Sequence, residues 1–429
     1  MMRDVLQPGT AGWLRRGSDL HVAYLASYLP RKCGIATFTS DLVAAIDRAE
    51  PLHAARIYAM QERESSVEYR DVRMVLEPED PASYVAAADD INGGPTQVLN
   101  IQHEFGLFGD RWGRMLLSLM VRVEKPIITT LHTVLPSPDD ELRGITRDLC
   151  DCSSAVVVLS RQAVEMLDYE YGVDRGKVHV IPHGVPAVPR EGQEQHKERL
   201  GLAGRSVLAT FGLINADKGI EYALDALPSV VAQHPDLLYL VLGETHPGVR
   251  RSSGESYRTK LLDRVHELGL EDHVRFSNQF LTNSELVEYL MATDILLVLN
   301  QNLQQYVSGT LAYAVGCGRA VVATPFRYAQ ELLANGRGIL VGQRDPEGIA
   351  RGVNTILGLP WYKEELERLT YEYGRTMQWP AVAEAYLELT RQVTAPAVAP
   401  QEALDPLGQA LAGDPFGLGV DGALLGAKR

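Results

Sequence analysis

The chain has 429 residues, 45% of them hydrophobic and 22% charged, more apolar sequence than one core absorbs, so about two domains are expected. A formal net charge of −14 argues against a broad phosphate-neutralising face of the kind that binds nucleic acid. The cysteines at 33, 150, 152 and 317 show no C-x-x-C spacing, and no run reaches the ~18–20 apolar residues of a membrane-spanning helix.

Residues 1–19 mix Pro, Gly and scattered charges in place of a basic stretch and apolar run, so they read as an N-terminal extension and a cytoplasmic location is expected. Short aliphatic and β-branched runs then follow at His21–Leu25, Gln97–Gln102, Pro126–Leu131, Ala155–Leu159 and Val178–Pro182, each read as a buried strand. Helical patterns such as Phe38–Arg48 and Trp112–Val123 lie between them, and this alternation builds a parallel sheet over residues 20–188. The polar stretch Pro189–Lys197 reads as the interdomain connection. The pattern restarts over residues 198–370, with strands expected at Ser206–Gly212, Leu237–Gly243, Val274–Phe276, Ile295–Leu299, Ala320–Ala323 and Gly338–Val341. After Trp361 a charged helical pattern, interrupted at Pro380, makes residues 371–393 a helix returning to the first domain. Residues 394–429, rich in Ala, Pro, Gly and Leu, read as a mobile tail. The fold class expected is α/β, with two Rossmann-like doubly wound domains facing a cleft.

Three strand-to-helix junctions suit anions. The first strand runs into a loop with Gly34 at a helix start, where backbone N–H groups and the helix dipole favour phosphate and Arg31 and Lys32 add positive field. Phe211–Ile220 carries Gly212 and, near the next helix, Lys218, a point charge suited to a diphosphate leaving group. In Tyr306–Val322, Ser308-Gly309-Thr310 opens a helix and Gly316-x-Gly318 closes it, followed by Arg319. Ordinary capping and solvated lysine explain each piece singly. His132 and the pair His103 and Glu104 follow strands, and polar residues at the carboxyl ends of parallel strands gather where ligands bind.

Together these segments resemble the family 4 glycosyltransferases of GT-B fold (glycosyl transferases group 1), from about His21 to Tyr386. Val180-Ile181-Pro182-His183-Gly184-Val185 is similar to the family's IPNGV signature, and Ala323-Thr324-Pro325 to its Pro-terminated strand. The resemblance implies transfer of a hexosyl group from a nucleotide diphosphate sugar, GDP-mannose or a UDP-sugar, to a hydroxyl acceptor with retention, without cofactor or essential metal. It implies catalytic roles for His132, Lys218 and Glu331. Donor contacts are implied at Gly34, Gly212, Lys218, Ser308, Gly309, Thr310 and Arg319, and an acceptor side at His103 and Glu104. The chain departs from the family at Gln305 and Tyr313, where many members carry two glutamates, and at Leu213, where an arginine is common; Glu331 and Arg319 or Arg327 are candidates to substitute. Another GT-B chemistry, a sugar phosphorylase or epimerase, and a catalytically relaxed sugar-nucleotide-binding scaffold are the alternatives. No G-x-G-x-x-G follows the first strand, which sets an oxidoreductase lower. The base, the acceptor and homo-oligomerisation stay open.

Overall fold

The structure, a computed structural model, describes residues 20–395 with the exception of positions 63, 64 and 66; the segments 1–19 and 396–429, read above as extension and tail, lie outside the described residues. The first sheet holds β1 (Leu20–Ala26), β2 (His53–Met60), β3 (Met74–Leu76), β4 (Val98–His103), β5 (Ile127–Leu131), β6 (Ala155–Val158) and β7 (Val178–Val180), in the order β3-β2-β1-β4-β5-β6-β7. The second holds β8 (Ser206–Phe211), β9 (Leu237–Leu242), β10 (Val274–Ser277), β11 (Ile295–Val298), β12 (Ala320–Ala323) and β13 (Ile339–Leu340), ordered β10-β9-β8-β11-β12-β13. Every pairing is parallel, and helices cover both faces, which is why β4 and β9 are buried at all six positions and read as continuous apolar runs. Both sheets reverse their order beside the first strand, between β1 and β4 and between β8 and β11. Such switch points open a crevice at the carboxyl ends of the strands. Two Rossmann-like domains therefore face one another across a cleft.

All the runs read as strands form strands, but β2 and β3 were not foreseen. The first half of β2, His-Ala-Ala-Arg, is only partly buried, and its Arg56 ion-pairs with Asp90 at 3.6 Å, so the apolar run is confined to Ile57–Met60. The helix expected over 112–123 shrinks to Met115–Met120, because Trp112 adopts a left-handed conformation (φ 62°) ahead of Gly113 (φ 77°).

The stretch read as a connection, 189–197, is partly structural. Residues Gln193–Arg199 form a helix packed on helix Asn283–Ala292 of the second domain. Lys197 is buried there against Asp294 (2.8 Å), which also pairs with Lys363 (3.0 Å) and accepts from the Val207 amide (2.7 Å). A buried carboxylate needs such partners, and together they hold the Asp294 carboxyl below its usual range against the opposing effect of burial.

At the far end, helix Pro360–Gly374 is followed by a single 3₁₀ turn and then helix Trp379–Thr394, so Pro380 sits in the first turn of a helix and does not interrupt one. That helix packs along Gly34–Ala49: Trp379, Val382, Tyr386 and Leu387 share one core with Val22, Phe38, Leu42 and Ile46 of the first domain. Tyr386 Oη bonds Thr130 Oγ1 at 2.9 Å. The chain thus crosses between domains twice, and the crossings are bonded side by side, Val185 N to Met377 O (2.9 Å) and Trp379 N to Val185 O (3.0 Å). Gly184 is glycine because a Cβ would lie 2.3 Å from the Trp379 ring.

Candidate functional site

A cavity of about 400 Å³ lies between the domains, within the range of small-molecule sites. Its second-domain wall starts where β8 ends at Phe211. Gly212 follows with φ +115°, a conformation that favours glycine, and Lys218 Nζ and Thr310 Oγ1 lie beside it, 3.4 and 3.6 Å from where a Cβ would be. Lys218 is delivered by a 3₁₀ turn capped by Asn215, whose side chain accepts from the Asp217 amide, and reversed at Gly219 into helix Ile220–Val231. Its Nζ stands 3.5 Å from Thr310 Oγ1. Burial lowers the Lys218 pKa to about 8, with Asp217 opposing the shift.

Opposite Lys218, helix Gly309–Gly316 begins at the cavity. Ser308 is its N-cap, its Oγ accepting from the Leu311 amide at 3.3 Å, so that oxygen is spent on the helix. The first-turn amides of Gly309 and Thr310 have no intrahelical acceptors and carry the positive end of the helix dipole. From the first domain, Gly34, Thr37 and Phe38 reach the cavity at the start of the Gly34–Ala49 helix, which the Cys33 thiol caps by accepting from the Ala36 amide at 3.4 Å.

Gly34, Gly212, Lys218, Ser308, Gly309 and Thr310 therefore line one cavity. The other candidates lie elsewhere. His132 stands one ring back: Phe38, which lines the cavity, packs edge-to-face on it at 4.7 Å, and its Nε2 bonds Gln102 Oε1 at 2.8 Å. His103 is fully buried, stacked on Phe108 at 5.6 Å, and neither ring nitrogen has a hydrogen-bond partner. Glu104 accepts from Thr133 Oγ1 (2.7 Å) and the Phe105 amide (3.1 Å), and burial raises its pKa. Neither touches the cavity.

Arg319 is a correction to the donor set. Its guanidinium is 1% exposed and donates to the carbonyls of Cys317 (2.9 Å), Thr293 (3.4 Å) and Met291 (3.5 Å), knitting loop ends behind the Gly309 helix. Glu331 is a second correction. Its carboxylate accepts from the amides of Arg161 (3.0 Å) and Gln162 (3.3 Å), capping a first-domain helix, Arg161–Met166, from the second domain. It borders a different cavity. Arg327 is used similarly, its carbonyl accepting from Gln162 Nε2 at 3.0 Å.

Residues not singled out for the site complete the wall. His183 lines the cavity, its Nδ1–H donating to its neighbour's carbonyl at Gly184 (2.8 Å), which leaves Nε2 facing Gly309. Its signal was its place in the Ile-Pro-x-Gly segment. Burial lowers the pKa of His183 to about 4, that of His132 to about 3 and that of His103 to about 4, so all three rings are neutral at pH 7. Gln305 and Tyr313 both line the cavity; Gln305 accepts from Asn300 Nδ2 (2.8 Å) and donates to the Val307 carbonyl (2.7 Å). Across the cleft Lys32 pairs with Glu244 at 3.1 Å and lies over the Phe280 ring. Among the described residues no group of three or more His, Cys, Asp or Glu side chains is arranged to hold a metal ion, and no helix is long and apolar enough to cross a membrane.

Comparison with known proteins matches the "Glycosyl transferases group 1" family to residues 192–377 and "Glycosyltransferase Family 4" to residues 97–187. A D-inositol 3-phosphate glycosyltransferase of Kineococcus radiotolerans is 25% identical over 313 residues, 67% of this chain and 68% of that protein. Spore coat protein SA of Bacillus subtilis is 22% identical over 265 residues, 58% of this chain and 68% of that one. Among solved structures, a glycosyltransferase from Rickettsia africae superposes with a TM-score of 0.69 at 15% identity, covering 88% of this chain and 99% of that one. Anabaena Alr3699/HepE in complex with UDP gives 0.67 at 16% identity, covering 87% and 100%. With two facing Rossmann-like domains and a cavity built at their strand ends, the chain belongs to the group 1 (family 4) glycosyltransferases of GT-B fold and is a glycosyltransferase.

Proposed function

We propose that the protein transfers a hexosyl group from a UDP-sugar to a hydroxyl acceptor with retention, needing neither cofactor nor metal, and that GDP-mannose is the competing donor. The observation that carries this reading is the convergence of Lys218 Nζ, the side-chain-free surface at Gly212 and the start of helix Gly309–Gly316 on one spot in the cleft. A diphosphate there meets a cation, two helix amides and a positive dipole end without a divalent ion. As the bond from the anomeric carbon to the diphosphate breaks, the negative charge developing on the leaving oxygen is what Lys218 and the helix start stabilise. The acceptor oxygen bonds the same carbon from the same face, and its proton leaves with the diphosphate. Uridine is preferred because the structural relatives include a protein in complex with UDP and with UDP-glucose.

The test is thermal shift with UDP, GDP and ADP, followed by turnover with UDP-glucose, UDP-N-acetylglucosamine and GDP-mannose. A nucleotide at a hundred times its Kd adds about 2.7 kcal/mol of stability. One nucleotide is expected to raise the Tm of the protein and to lose that effect in Lys218→Ala. No response to any nucleotide would overturn the reading, and binding without transfer or hydrolysis would leave a sugar-nucleotide-binding scaffold.

A further inference from the structure

A second interdomain cavity, of about 730 Å³, shares no lining residue with the one that holds Lys218. Its walls come from both sides of the seam. Arg161 and Val164 lie on helix Arg161–Met166 and Val180 ends β7, all in the first domain, while Tyr328 lies on helix Arg327–Leu332 and Tyr373 on helix Pro360–Gly374 of the second.

The polar groups here are mostly donors that the protein does not use. Tyr328 is 1% exposed, and its phenol oxygen has no hydrogen-bond partner. Burial raises its pKa, and Tyr373 and Glu331 beside it add to the shift, so the hydroxyl keeps its proton. A buried hydroxyl left unpaired costs stability, and a ligand that accepts from it removes that cost. Arg161 gives its backbone amide to Glu331, but among the described residues nothing pairs with its guanidinium. The Tyr373 hydroxyl is likewise without a partner among the described residues. Burial raises the Tyr373 pKa, while the guanidinium groups of Arg337, stacked on its ring at 4.1 Å, and of Arg161 oppose that shift. Arg175, also at this cavity, is paired with Asp168 at 2.6 Å. Of the two carboxylates that border the cavity, Glu331 is taken by the amides of Arg161 and Gln162, which leaves Glu165. An unpaired guanidinium beside two free phenols selects a negatively charged group rich in acceptor oxygens. Much of the remaining wall is apolar: Val180 is left 42% exposed, and Val164 and Met377 line the same cavity.

We propose that this cavity binds a free amphipathic anion, a phosphate or carboxylate head on a short apolar body. The head accepts from the Arg161 guanidinium and from the Tyr328 and Tyr373 hydroxyls, and the body covers Val164, Val180 and Met377. Because Arg161 belongs to the first domain and the tyrosines to the second, the head bridges the seam. The site is separate from the donor cavity and does not depend on which nucleotide, if any, that cavity takes.

Calorimetry on the full chain with octyl phosphate, octanoate, inorganic phosphate and octanol separates head from body. Octyl phosphate or octanoate should bind at least about tenfold more tightly than octanol or inorganic phosphate, the scale of one charge-assisted hydrogen bond. Arg161→Gln should weaken that binding about tenfold and Tyr328→Phe about fivefold. Neither substitution should lower the Tm of the free protein, since one removes an unpaired guanidinium and the other an unpaired hydroxyl, and this keeps loss of binding distinct from loss of fold. UDP should not displace the probe. An affinity no greater for either amphipathic anion than for octanol overturns the proposal. So does displacement by UDP, which would put the anion in the donor cavity, and so does a loss confined to one of the two variants, because the head would then not span the domains.

Discussion

Lys218 sits where burial disfavours its charge, with a pKa of about 8 against ~10.4 for a free lysine. Between those values the unfolded chain binds a proton that the folded chain has released, so stability should rise with pH in that window, and below it the folded state carries the full cost of the buried cation. Nucleotide binding has the opposite dependence, because the diphosphate needs the cation. UDP affinity should fall by up to about tenfold per pH unit above pH 8, measurable by titration calorimetry from pH 7 to 9.5. Lys218→Met is expected to raise the Tm of the ligand-free protein while abolishing its response to UDP; a lower Tm would mean the lysine holds the fold. The buried histidines act in the acid range. His103, His132 and His183 have pKa values of about 4, 3 and 4, so the unfolded chain takes up protons first, and each ring removes up to ~1.4 kcal/mol of stability per pH unit as the pH falls from ~6.5 toward 4. His103→Phe keeps a ring stacked on Phe108 and deletes two unpaired nitrogens. It should flatten the acid limb of a Tm-versus-pH curve with turnover at neutral pH within threefold, whereas a hundredfold loss would return His103 to the acceptor side. Gly212, Lys218 and the Ser308–Thr310 start were legible because turn chemistry is local. The roles of Arg319 and Glu331 were not: each depends on backbone groups that only the fold brings near.

Among the elements, the strands covered on both faces announced themselves, and those near the edge did not. β3 has three residues, and β2 opens with His-Ala-Ala-Arg, which confines its buried apolar run to Ile57–Met60. Trp112 shows the limit for helices: an apolar pattern continued through a position whose backbone is left-handed, and only the fold says so. The contact between the two crossings supplies a test at this scale. Gly184→Ala would drive a methyl into the Trp379 ring, and overpacking of this kind costs about 1–3 kcal/mol. Denaturant melts should show that loss. A neutral result would mean that helix Trp379–Thr394 is free to shift on the first domain.

At the scale of the whole molecule, the domains are held on both sides of the cleft. Lys32–Glu244 is partly exposed and worth little by itself. Glu331 does more, because it caps a helix of the other domain with two hydrogen bonds. If its role is to hold the domains, Glu331→Gln, which retains one acceptor oxygen, should change kcat/KM by less than about tenfold, while Lys218→Ala should cost at least a hundredfold, the range for removing a group that stabilises transition-state charge. A Glu331→Gln loss as large as that of Lys218→Ala would place the carboxylate in the chemistry. The return of the last helix to the first domain was visible in outline as a charged helical pattern at the end of the second. That the first core is incomplete without it, with Trp379, Val382 and Tyr386 packed among Phe38, Leu42 and Ile46, required the packing. On the ribosome this inverts the usual order of folding, in which the N-terminal domain finishes first: the opening sheet must wait, one helix face bare, until residues beyond 379 emerge, while the sheet made later already has every strand it needs.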